Sequence, residues 1–441
     1  MQRKSYRQLL IPIMIELILT VLIGSIDTFM LSAVGDDLVG AVGTANSYSY
    51  LITILFSVIS GGLAAVMSQY IGAKYESSAN RAHFLALIIN IIFGLILSVS
   101  MFFGTSALLI ALDVASNIIE YSTKYLWIIG SFLFIDALTP IFSAYLRSYG
   151  KTKYPMISTG VMNVVNVSLN ALFIYTRTCP MDAVRGVAIS SVIAKFTGLS
   201  LNVIFYFIYR NKDKTKPQLS DKQILKDIVR IGLPGALETI IFNLVMAFIT
   251  TCLNHMDDDG FYVTAYTYCN QITYFGYVMC IAMSQANAIK VGWFIVEKRF
   301  DECKKFTLRV LLFAMIISIV SATILALFGR LLLSIFTDNE TIIGIGVAVL
   351  FVDIILELGR SVNLTIGNAL KAAGDATFTV IIGIVFMVLV AGGGSYILGT
   401  TLKWYVLGVW IAKACDEIIR GILMFLRWKS DKWKTKALIK E

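Results

Sequence analysis

The residues able to do chemistry in this sequence are carboxylates and amides set where apolar side chains would be expected. "IPIMIELILTVLIGSIDTFMLSAVG", Ile11 to Gly35, is an apolar run of membrane length that carries Glu16 and Asp27. A charge at the bilayer centre costs roughly 2.5–3.5 kcal/mol on insertion scales, so such a residue belongs on an interior face. Eleven residues nearly close three helical turns, which puts the two acids on one face about 16 Å apart. A buried Asp27 can take up a proton, and beside neutral oxygen ligands it can hold a hard cation instead. "MNVVNVSLNALFIY" offers such oxygens, because Asn163, Asn166 and Asn170 recur at spacings of three and four and line one helical face. "GVAISSVIAK" adds Ser190 and Ser191. Two blander readings stay open: Asp27 as an interfacial carboxylate, and the amide row as helix-to-helix hydrogen bonding worth about 1 kcal/mol per contact.

The second half of the chain has its own polar set. Glu238 follows Pro234 by one turn, and a proline in a membrane helix frees a carbonyl that a neighbour must satisfy. Glu357 stands mid-span with Arg360 at i+3, so a structural ion pair and a substrate role are both open. "YTYCNQITYFGYVMC" places Asn270 and Gln271 among aromatics, a lining suited to flat amphiphiles or simply a packed face. "KACDEIIR" reads as two self-contained i,i+4 pairs, Lys413–Glu417 and Asp416–Arg420. Lys195 lies deep inside its span.

These residues need a scaffold, and composition says which. Of 441 residues 57% are hydrophobic and only 15% charged, with a mean hydropathy of +0.78, far above a soluble domain. Twelve apolar runs reach bilayer length, among them 8–33, 117–146, 342–370, 377–397 and 404–427. An even number of spans leaves both termini on one side, which holds 27 of the Lys and Arg residues against 5 on the other. Both termini are therefore expected in the cytoplasm. The net charge of +9 is a topology signal and calls for no nucleic-acid partner. Six scattered cysteines and two histidines show no zinc or disulfide spacing.

The polar stretch "YRNKDKTKPQLSDKQ" divides the chain. The expected organisation is a six-helix lobe over 1–208, a cytoplasmic linker over 209–225, a second six-helix lobe over 226–428 and a basic cytoplasmic tail over 429–441. An internal repeat supports it: "LRSYGKTKYP" and "LKAAGDATFT" recur at an offset of 224, "IPIMIE" and "LPGALE" at 222. Each half holds six spans, so the halves share one orientation and are expected to be related by a pseudo-twofold axis along the membrane normal. No G-x-x-x-x-G-K-[ST] is present to bind nucleotide, and no H-E-x-x-H or G-x-S-x-G to support a hydrolase. An enzyme is not expected, and no cofactor is expected.

At "SIDTFMLSAVGDDLVGAVGTA", "YLRSYGKTKYPM", "VNVSLNALFIY", "IGLPGALE", "SQANAIKVGWFIVEKRFDECKK" and "LKAAGDATF" the chain resembles the multidrug and toxic compound extrusion family over nearly its whole length. The resemblance implies an all-α polytopic membrane protein of twelve transmembrane helices in two lobes. It implies alternating access and export of organic cations or drugs in exchange for sodium ions or protons. It carries the cation or proton coupling site onto Asp27, Asn166, Asn170 and Ser191, with sodium ligands at Asp27, Asn166 and Asn170. A substrate cavity is expected at Glu238, Glu357, Arg360, Asn270 and Gln271. Many relatives with this site carry Asp where this chain has Asn170 and Thr where it has Ser191, so one negative charge is missing here. The expected partners are small organic cations or amphiphilic drugs and membrane lipid, with the chain monomeric in a plasma membrane. The alternative is a flippase for lipid or lipid-linked oligosaccharide from the same superfamily, whose anionic cargo would call for a cation-rich interior.

Overall fold

The computed structural model describes residues 5–32, 36–111, 119–175, 182–211, 216–256 and 261–436. Among them every regular element is helical. In the first half these are α1 (Tyr6–Ser32), α2 (Asp36–Gly72), α3 (Glu76–Ala111), α4 (Ile119–Ser131), α5 (Leu133–Ser148), α6 (Lys153–Tyr175) and α7 (Ala183–Tyr209). There follow α8 (Asp221–Asn254), α9 (Phe261–Val296), α10 (Phe300–Leu327), a single turn α11 (Gly329–Leu333), α12 (Glu340–Ala372), α13 (Ala376–Phe386) and α14 (Tyr405–Lys429). Among the described residues eight helices are long and apolar enough to cross a membrane, or up to ten if each bent pair is one span. With α1, and with α14, whose charged residues set it apart, they make the twelve rods of an all-α polytopic membrane protein.

Two spans differ from the expected single helices. The run 117–146 is bent by 47° where α4 gives way to α5 at Phe132. Pro140, the obvious breaker, sits undisturbed inside α5. The amide of Phe134, in the first turn after the break, donates to the Ser98 hydroxyl of α3 at 3.0 Å, and Gly94 lets α3 come close enough, since a Cβ there would lie 2.8 Å from the Cα of Phe134. The run 377–397 continues further, to Thr401, because α13 widens into π-helical turns over Met387–Gly393 and Ser395–Thr401. The glycines of "AGGG" lower the steric cost of that widening.

The chain forms two compact units, Met1–Leu233 and Pro234–Glu441. The boundary thus falls inside α8, beyond the polar stretch 209–225. The reason is that the first turns of α8 are bound to the first unit. Asp227 accepts from the Tyr70 hydroxyl at 2.7 Å, Asp221 takes both arms of Arg81 at 2.6 and 2.8 Å, and the Ser78 hydroxyl donates to Gln218 at 2.9 Å. Backbones meet where α2 and α8 cross: a Cβ on Gly62 would lie 2.2 Å from the Ile228 carbonyl oxygen, and one on Gly232 1.7 Å from that of Val58. The tail after α14 is also docked. Trp433 is fully buried and stacks on Trp428 at 4.2 Å, while the Lys304 ammonium beside Asp431 holds that carboxyl below its usual range.

Candidate functional site

The repeated Pro-x-x-x-Glu element builds the same contact in each unit. In the first, Pro12 has no N–H to offer the Gln8 carbonyl, and the Thr152 hydroxyl donates to it instead at 3.1 Å. One turn on, Glu16 pairs with Arg147 at 2.5 Å. In the second, Glu238 pairs with Lys371 at 2.6 Å. Arg147 and Lys371 are the basic residues of the repeated "LRSYG" and "LKAAG" segments, so each internal repeat contributes one partner of an ion pair. Glu16 and Arg147 keep only 8% and 25% of their side-chain surface exposed, which makes the pair costly to split. Glu16→Gln is expected to cost about 2–3 kcal/mol, read as a lowered melting temperature of the purified protein. Adding Arg147→Gln should return most of the loss, because no charge is then left unpaired.

The first unit gathers the amide row. Small residues bring α6 and α7 together: a Cβ on Gly186 would meet Phe173 at 2.8 Å, and one on Gly198 would meet Met162 at 3.2 Å. In this contact the Asn166 amide donates to the Ser191 hydroxyl at 3.3 Å, and that of Asn170 donates to the Asn166 oxygen at 3.4 Å. All three residues are buried, Asn170 completely. Asn163 takes the structural part of the row and ties α6 to α1 through the Leu19 carbonyl at 3.1 Å. The side chain of Asp27 lies outside the described residues, but the level of position 27 on α1 is fixed. Thr152–Gln8 and Asn163–Leu19 are both separated by 144 residues, so α1 and α6 run in parallel register. Position 27 then comes level with Ala171, next to Asn170. The oxygens of Asn166, Asn170 and Ser191 are hard, neutral donors of the kind a sodium ion or a proton relay uses.

The second unit holds a larger network between α9, α12 and α14. Its helices cross backbone to backbone, since a Cβ on Gly359 would lie 2.6 Å from the Ile418 nitrogen. Charges then interdigitate across the seam. Glu357 contacts Arg360, which stacks over the Tyr277 ring at 4.3 Å. Glu417 accepts from Asn363 at 2.8 Å and pairs with Arg420 at 3.2 Å. Arg420 also grips Asp416 with both nitrogens, at 2.9 and 2.5 Å. Asp353 accepts from the Trp410 indole at 2.9 Å. Lys413 lies 4.0 Å over the Trp410 ring and donates to Asn270 at 3.3 Å. Of the expected i,i+4 pairs, Asp416–Arg420 forms and Lys413–Glu417 does not, because facing helices offer both residues other partners. A cavity of about 250 Å³ opens beside this network, lined by Glu238, Lys371, Asn363, Glu417 and Arg420. Of the residues expected in a substrate cavity only Glu238 lines it; Glu357, Arg360 and Asn270 stay within the network, and Gln271 is exposed on α9. Glu357 is almost fully buried, and its second carboxylate oxygen has no hydrogen-bond partner.

Asp136 and Asp353 were reachable from the sequence by the rule that singled out Asp27, an acid inside an apolar run, yet neither was among the expected site residues. Asp136 is the partner of Lys195, at 2.9 Å.

A repeated six-span architecture with acid-bearing polar clusters inside apolar helices defines an integral membrane transporter. A family model described as MatE matches residues 12–172 and 234–396, once in each half, and the chain belongs to this family of transporters. It is 32% identical over 433 residues to the uncharacterized transporter YisQ of Bacillus subtilis (strain 168), covering 97% of this chain and 94% of that one. It is 22% identical to the probable multidrug resistance protein NorM of Thermotoga maritima, over 99% and 94% of the two chains. A solved structure described as the outward-facing conformation of a multidrug resistance MATE family transporter superposes with a TM-score of 0.88 at 22% identity, covering 96% of this chain and 94% of that one.

Proposed function

We infer that the protein is a secondary active antiporter that exports small organic cations or amphiphilic drugs in exchange for sodium ions or protons. It works by alternating access, as a monomer in a bacterial plasma membrane with both termini cytoplasmic. The observation that carries this reading is the charge balance of the second unit's network. Three buried acids, Asp353, Glu357 and Asp416, and the partly buried Glu417 meet three bases, Arg360, Lys413 and Arg420. A surplus carboxylate out of water must gain a proton or a cation. The amide and hydroxyl oxygens level with position 27 supply a second place for such an ion. An acid surplus suits cationic cargo better than the anionic pyrophosphate of a lipid-linked sugar, and the multidrug names of NorM relatives agree with it.

The test is efflux of a panel of fluorescent cations from vesicles holding the purified chain, with a sodium or a proton gradient imposed one at a time. Export should follow one of the two gradients and stop when it is dissipated. Lack of any cation movement under either gradient would overturn the reading.

A further inference from the structure

The first unit contains a cavity of about 400 Å³ that the coupling cluster does not use, lined by side chains of α2, α5 and α7. Its two charges are Asp136 of α5 and Lys195 of α7, in contact at 2.9 Å. This pair is accessible, with 22% of the Asp136 and 35% of the Lys195 side chain exposed. On α2, Asn46, Ser49 and Thr53 recur at spacings of three and four and present a polar face, beside the Tyr50 ring. The Asn46 oxygen is taken by the Tyr125 hydroxyl at 3.3 Å, which leaves its amide N–H group as donor.

The backbone adds a further acceptor. Pro140, which also lines the cavity, stands four residues after Asp136 and has no N–H, so the Asp136 carbonyl lacks its intrahelical donor. Asp136 itself lies in the first turn of α5, created by the break at Phe132.

We propose that this cavity is a binding subsite for compact zwitterions, whose ammonium replaces Lys195 at Asp136 and whose carboxylate replaces Asp136 at Lys195. A lone cation entering here would leave the Lys195 ammonium unpaired in a low-dielectric site, and a lone anion would strand Asp136. A ligand bearing both charges opens the pair without leaving either residue uncompensated. The Asp136 carbonyl and the Asn46 amide then serve the second proton of the ammonium and the second oxygen of the carboxylate. The Tyr50 ring provides an apolar wall for the ligand's body.

The proposal names a cargo class for the export reading and rests on it only for that role, so the test measures binding with no gradient. At pH 6, radiolabelled phenylalanine, its methyl ester and its N-acetyl derivative present one body as zwitterion, cation and anion to the full chain in nanodiscs. The zwitterion should bind about tenfold or more tightly than either relative, the contribution of one charge-assisted hydrogen bond. Lys195→Met should remove its advantage over the ester, and Asp136→Asn its advantage over the acetyl form. The double exchange Asp136→Lys with Lys195→Asp, which keeps a pair in place, should restore both. Equal binding of the three probes, no binding of any, or a selectivity untouched by the single variants would overturn the subsite. A chain that binds the zwitterion selectively but moves nothing under either gradient would overturn the export reading alone.

Discussion

Asp27→Asn is expected to abolish gradient-driven export while the chain reaches the membrane at its normal level. The parallel register of α1 on α6 brings position 27 level with Asn170, roughly 12 Å along both helices from the Asn163–Leu19 bond that anchors them. At that level the oxygens of Asn166, Asn170 and Ser191 are gathered within about one turn of one another. A loaded and an unloaded carboxylate differ by a full charge in a region where charge is costly, so loading biases whichever packing of α1 buries it best. To move an inward–outward equilibrium from 1:99 to 99:1 takes about 5.5 kcal/mol of differential affinity, within reach of one buried charge with several ligands. Asparagine keeps the size and one oxygen but cannot be protonated or carry the charge, so the bias disappears. Asn166→Ala and Asn170→Ala, which remove oxygens and spare the charge, should weaken export by a smaller factor and raise the ion concentration needed to drive it. Undiminished export of a fluorescent cation by Asp27→Asn would place the coupling ion elsewhere, with the second unit's surplus acid as the next place to look.

How far the sequence could be read depends on the range of each interaction. The twelve rods were legible because bilayer length and apolarity are properties of a single segment. The partners Glu16, Glu238, Arg147 and Lys371 all stood in the repeats, but nothing in the repeats says that they meet; that follows from the packing of α1 on α6 and its counterpart contact. The Lys413–Glu417 pairing was misjudged for a related reason. The i,i+4 rule describes an exposed helix face, whereas α14 is pressed against α12 at Gly359 and Gly421, and Asn363, Arg360 and Asn270 outcompete the local partner. Trp410 has no sequence signal of this kind, since an indole inside a span is an ordinary packing residue until a carboxylate faces it. The break at Phe132 was hidden because neither glycine nor proline occupies it. Asp136 and Asp353 are different: both are acids inside apolar runs and were open to the argument applied to Asp27.

The network's stability hangs on Arg420, and Arg420→Met is expected to lower the melting temperature of the second unit by on the order of 10 °C. Arg420 is 6% exposed and neutralises two carboxylates at once, Asp416 through a two-pronged contact and Glu417 through a third bond. Without it Asp416 loses its only ionic partner among the described residues, and Glu417 keeps Arg360 at 3.8 Å, a cation already engaged by Glu357. Leaving a buried charge uncompensated costs about 3–5 kcal/mol, and in a unit of this size each kcal/mol moves the midpoint by roughly 2–4 °C. Arg420→Lys should recover little, because a single ammonium cannot reproduce the fork that spans both oxygens of Asp416. Asp416→Asn in the Arg420→Met background should recover much of the loss, and that coupling separates a charge effect from a packing effect. If Arg420→Met melts like the parent, water must reach the seam between α12 and α14, and the surplus acid there would no longer be forced to take up an ion.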